Sequence, residues 1–258
     1  TEQGVTNAAI VLVAQKCVID KALPNAEIIF EWRQDSSKIP HAFRQEWREP
    51  FMCIFDQIWQ AVNQRNIRFP FQEGFIQREI YAFTELSVRE AILNAVTHRD
   101  YTITTQSIFI KASPETFVIQ SPGGLVSPVT VDTILTKSAL RNRRIAEVFQ
   151  KIGLVERSGQ GVDKIYEQTI KEGKGFPSFF GTDNYSVQLT IPAEVKDPEF
   201  ILFLEKIVNR KQINLSFEEI YELEKIHEIG ILQNPVFKHK FLEHNLIEKS
   251  GVGRGTKY

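Results

Sequence analysis

The sequence predicts an α/β (α+β) fold with a small winged helix-turn-helix at its C-terminal end. Three observations carry that prediction. "SIFIKAS" and "TFVIQSP" alternate apolar and polar residues around Pro114-Glu115, as a β-hairpin does. Residues 84–98 space their apolar side chains for a helix, with small residues that suit packing on a sheet. After "KDP" (196–198) the chain reads as three helices and a glycine-turned hairpin. The expected domains are 1–195, with an N-terminal extension over 1–70, and 196–258.

The elements follow in order. "TNAAIVLVA" is a short buried element, helix or strand, and "AEIIFEWR" (26–33) reads as a strand. Residues 43–66 place Phe51, Ile54, Phe55, Ile58 and Val62 at helical spacing, which predicts a helix in spite of Pro50. Thr84 is the N-cap expected for the helix 84–98. "LRNRRIAEVFQKIG" (140–153) predicts a helix ended by Gly153. "SGQGVDKIYEQTIKEG" predicts a glycine-rich loop feeding a helix that stops at Gly173, and "YSVQLTIPAEV" predicts a last strand. In the tail, helices are expected over 200–209, 216–227 and 235–244, the last begun by Asn234 as cap and Pro235 at its first position.

Composition narrows the function. The 258 residues hold 31 Lys+Arg against 32 Asp+Glu, so a nucleic-acid partner needs a local basic patch. Cys17 and Cys53 have neither metal-site nor redox spacing, which suits a reducing cytoplasm. The longest apolar run, "AAIVLVA", is far too short for a membrane span and lacks the basic flank of a signal peptide.

"REAILNAVTHRDY" (89–101) contains His98-Arg99-Asp100, the letters of a kinase catalytic loop. A kinase also needs an Asn five residues after that Asp and a D-F-G. Position 105 is Thr, and D-F-G does not occur. The same helix places Glu90, Asn94 and His98 in one row at i, i+4 and i+8. A carboxylate beside an amide oxygen is a workable pair for hydrolysis. The first polarises a water and the second ligates Mg²⁺. The plainer alternative has Glu90 closing a capping box with Ser87. Two glycine turns accompany the pair. "SPGGL" follows a strand, and "SGQG" precedes a helix whose N-terminus is a natural phosphate seat. Asp163 in that helix's first turn suits the dipole but repels a phosphate.

This order of E-x-x-x-N helix, hairpin with a glycine turn, helix, and G-x-G before a helix resembles the GHKL ATPases, among them gyrase, MutL and the histidine kinases. More narrowly, "LSVREAILNAVTHRDY", "IQSPGGL", "RNRRIAEVFQKIGLVERSGQGVDKI" and "GRGTKY" resemble a bacterial and archaeal family of transcriptional regulators, often labelled RecG-related ATP-dependent helicases. Its typical member has an AlbA/Schlafen-type domain, a GHKL-like domain and a winged helix. The resemblance implies a Bergerat-like mixed sheet with helices on one face, and ATP and Mg²⁺ as ligands. It implies Glu90 as general base and Asn94 as the Mg²⁺ ligand. His98, Ser121, Gly123, Gly124, Ser158, Gly159 and Gly161 would line the nucleotide. Ser121 stands where the GHKL motif D-x-G-x-G has its adenine-binding Asp, and Leu125 where it has its second Gly. Losing a charged acceptor costs about 1.5–3 kcal/mol, or about ten- to a hundredfold in affinity.

From Leu232 to Tyr258 five positive residues face two acids, a net of +3. Lys238, Lys240, Lys249, Arg254 and Lys257 are the candidate DNA contacts, on phosphates rather than bases. The acidic helix "FEEIYELEK" before them argues for protein contacts instead. The function expected is a DNA-binding transcriptional regulator with a nucleotide-binding domain, acting as a homo-oligomer. The alternative is a non-enzymatic transcription factor or scaffold with a relic pocket.

Overall fold

A computed structural model describes residues 4–37, 40–73, 76–155 and 160–249. It divides into two compact units. One comprises Thr1–Ile165 and Pro177–Glu194, the other Tyr166–Phe176 and Val195–Tyr258.

In the first unit, α1 (Asn7–Val13) begins where the Thr6 hydroxyl accepts from the Ala9 amide at 3.3 Å, and α2 (Lys16–Ala22) follows. β1 (Ile28–Trp32) and β2 (Phe43–Trp47) pair antiparallel. The helix expected over 43–66 is therefore shorter. Residues 43–47 have a two-residue period that the adjoining helical pattern conceals, and α3 (Phe51–Asn63) starts only after Pro50. β3 (Arg68–Glu73) and β4 (Ile76–Tyr81) form a separate hairpin. α4 (Glu85–His98) is capped by Thr84, whose hydroxyl accepts from the Ser87 amide at 3.4 Å. Ser87 is thus a buried residue inside the helix rather than its cap.

β5 (Ile108–Ala112) and β6 (Thr116–Pro122) form the expected hairpin, and β7 (Ser186–Pro192) pairs with β6. The sheet order is β2-β1-β5-β6-β7. β1 and β5 are parallel, so the crossover between them contains both α3 and α4. Register sets Ser121 opposite Val187 and Ile119 opposite Leu189, which puts these four side chains on one face. α4 packs on β6, and the Ser121 hydroxyl donates to the Ala95 carbonyl at 2.9 Å. α5 (Arg143–Lys151) buries Ile145 and Phe149, and Gly153 follows it with a positive φ. α6 (Gly161–Lys171) contributes Gly161–Ile165 to the first unit and Tyr166–Lys171 to the second.

The second unit adds α7 (Pro198–Lys211) and α8 (Phe217–Ile229), the latter opened by a reciprocal Ser216–Glu219 capping box and closed by Gly230. The expected helix 235–244 is instead a 3₁₀ turn, Pro235–Phe237, followed by the short α9 (Lys238–Glu243). Asn234 does cap that turn, accepting from the Val236 amide at 3.1 Å. Most of the expected wing, residues 250–258, lies outside the described residues. Among the described residues no helix is long and apolar enough to cross a membrane.

Candidate functional site

The first unit holds a cavity of about 470 Å³. Its floor is the β6–β7 quartet of Ile119, Ser121, Val187 and Leu189. One wall is α4, through Glu90, Asn94 and His98. Gly123, Gly124 and residues 134–140 form another side, and Gly161 closes the end nearest Glu90. The row read from the sequence therefore lies in one pocket with Gly123, Gly124 and Gly161. Ser158 and Gly159 lie outside the described residues.

Each glycine here is fixed by what it touches. A Cβ on Gly161 would lie 2.7 Å from Glu90 Oε2 and 3.0 Å from Asn94 Nδ2, so the start of α6 rests directly on the acid–amide pair. Gly123 has φ +97, and a Cβ there would meet Asp100 Cβ at 2.6 Å.

Asp100 and Arg99, the rest of the kinase-like letters, are structural. Asp100 accepts from the Thr102 hydroxyl at 2.6 Å and from the Thr102 amide at 2.9 Å, and these bonds hold its carboxyl below the usual range. Arg141 bridges Asp100 (3.1 Å) and the Gly124 carbonyl (2.6 Å), which braces the glycine turn. Arg99 points away from the cavity. Its guanidinium donates to the carbonyls of Asn25, Asp100, Ile103 and Gln106.

The electrostatics suit an anionic ligand. Glu90 is 6% exposed, and Lys164 Nζ lies 3.8 Å from its Oε1. Lys137, Arg143 and Lys164 line the cavity with Glu90 and Glu147, and Arg143 is paired with Glu147 at 2.8 Å; Lys164 lay outside the sequence expectations because only the fold brings α6 to α4. Burial, then the Arg141 charge, holds the His98 imidazole below its usual value, so it is neutral at pH 7. Asn94 Nδ2 is buried without a hydrogen-bond partner among the described residues. Asn94 also lines the cavity, and its carbonyl oxygen is a hard donor of the kind Mg²⁺ prefers.

A family model described as "Putative ATP-dependent DNA helicase recG C-terminal" matches residues 105–191. This stretch is therefore similar to an ATPase-like domain. It takes in β5 to β7 and both glycine turns, while Glu90, Asn94 and His98 lie upstream of it. The chain is also similar in fold to the DIP2311 protein from Corynebacterium diphtheriae, with a TM-score of 0.72 at 23% identity. That match covers 89% of this chain and 44% of the other, so the chain spans under half its length. No curated protein matches the chain.

The predicted DNA contacts separate. Lys240 is committed to Glu219, at 2.6 and 2.7 Å from its two oxygens. Lys238 opens α9, and Lys249 is exposed at the end of the described residues. Arg254 and Lys257 fall outside them. The acids of α8 are turned to internal use. Glu222 accepts from the backbone amides of Gln233 and Asn234. Burial pushes Glu224 up to about 7. The negative charge that α8 shows in the sequence is thereby largely withdrawn from its surface.

Proposed function

We propose that the first unit binds ATP·Mg²⁺ and hydrolyses it slowly, within a DNA-binding transcriptional regulator. The carrying observation is the seat of Gly161 on Glu90 and Asn94 inside the 470 Å³ cavity, a volume in the range of nucleotide-sized sites. The start of α6 brings backbone N–H groups to phosphates. Asn94 would hold Mg²⁺, which supplies charge neutralisation on the phosphates when bound. Glu90 accepts a proton from the attacking water. Ser121 gives its own proton to Ala95, so it presents only lone pairs to the base. A lone-pair acceptor suits the adenine amino group and repels the guanine carbonyl oxygen.

Calorimetric titration with ATP·Mg²⁺ tests this. The wild type is expected to bind in the micromolar range, and Asn94→Ala to bind about tenfold or more weakly. Millimolar or weaker binding in both favours the second reading, a scaffold with a relic pocket. The neutral Ser121 in the base subsite is the observation behind that alternative.

For the second unit the proposed partner is duplex DNA, held by Lys238, Lys249, Arg254 and Lys257. Four phosphate contacts give a slope of log affinity against log salt of about −3.6, and Lys249→Ala flattens it by about one. A gel-shift salt series on the full chain reads both. Binding that ignores salt, or no binding at low salt, removes DNA as the partner.

A further inference from the structure

We propose that Lys164 senses the terminal phosphate of the nucleotide, leaving Glu90 to pair with it. The proposal rests on the reading of the cavity as an ATP site. Lys164 stands three residues after Gly161, in the first turn of the helix whose start touches Glu90 and Asn94. Its Nζ is 3.8 Å from Glu90 Oε1, and its side chain is 25% exposed against 8% for the acid.

The two partners differ in freedom. Glu90 is buried on α4, which the sheet holds. Lys164 carries a compact charge on a flexible four-carbon stem and can redirect its ammonium without backbone movement. A base must lie within reach of the water that attacks the terminal phosphorus, so that phosphate arrives beside Glu90 and hence beside Lys164. It brings more negative charge than one carboxylate, and three acceptor oxygens. Lys164 also offsets the neighbouring Asp163, whose carboxylate opposes phosphate at the helix start. When the ammonium moves to phosphate, Glu90 loses a neighbouring cation and becomes the stronger base for the proton of water. ADP has no terminal phosphate to draw Lys164 away, and Glu90 stays paired.

The test is calorimetric titration of the full chain with ATP·Mg²⁺ and with ADP·Mg²⁺, on wild type, Lys164→Gln and Lys164→Arg. The wild type is expected to bind ATP about tenfold more tightly than ADP. Lys164→Gln should lose that preference by weakening ATP while leaving ADP within about twofold. Lys164→Arg should restore most of it. A thermal midpoint for Lys164→Gln close to wild type shows that the chain is folded, and retained ADP binding shows it at the site itself. Equal weakening of both nucleotides, or an unchanged ratio, overturns the sensor. Wild type that binds neither nucleotide overturns the ATP reading as well, and no other outcome gives that pattern.

Discussion

Gly161→Ala is expected to weaken ATP binding while the chain stays folded. The added methyl would sit 2.7 Å from Glu90 Oε2 and 3.0 Å from Asn94 Nδ2. Both are ends of side chains, so they swing aside and the backbone need not move. The swing takes the amide away from its place as a metal ligand. Removing that charge-assisted interaction costs about 1.5–3 kcal/mol, so affinity should fall about ten- to a hundredfold. Stability should change little, because Gly→Ala gains about 0.4–1 kcal/mol through the unfolded chain and offsets the crowding. Calorimetry with ATP·Mg²⁺ beside a circular-dichroism melt separates the two effects. ATP affinity equal to wild type in a folded variant would mean that the start of α6 is no part of the site.

Arg99→Ala is expected to destabilise the first unit by about 4 kcal/mol. Arg99 is 2% exposed, and its guanidinium serves four carbonyls, of Asn25 (2.9 Å), Asp100 (3.1 Å), Ile103 (3.2 Å) and Gln106 (2.6 Å). It ties the chain entering β1 to the loop between α4 and β5. Truncation strands several buried acceptors and leaves a cavity. Domains have about 5–15 kcal/mol in total, so such a loss is a large share. Lys can serve only some of the four, which places Arg99→Lys between. Urea unfolding reads the difference, and a loss below about 1 kcal/mol would show that water replaces the guanidinium.

Local signals made several elements legible. The period of α4, its Thr84 cap, the β5–β6 hairpin and the glycine stops after α5 and α6 all involve neighbours within a few residues. The row Glu90, Asn94, His98 was legible for the same reason, since i and i+4 share a helix face. What escaped depends on distance in sequence or on competing patterns. β2 has five residues of alternation set against a longer helical run. The β3–β4 hairpin carries Pro70, a residue that argues against a strand. Nothing local indicates that Arg99 reaches Asn25, that Arg141 braces Gly124, or that Lys164 meets Glu90. His98-Arg99-Asp100, set aside as a kinase motif on sequence grounds, is a familiar string of letters whose Arg and Asp serve the loop.

The parallel pairing of β1 with β5 bears on how the chain is made. Ile28 pairs with Ile108, so β1 leaves the ribosome well before its inner neighbour exists. At about 5–20 residues per second that gap of roughly eighty residues lasts some 4–16 s. Throughout it, Ile28, Ile29, Phe30 and Trp32, all buried in the finished sheet, have only β2 beside them. The nascent β1–β2 ribbon, with one edge open, is therefore the stage of synthesis at which holding chaperones have most to protect.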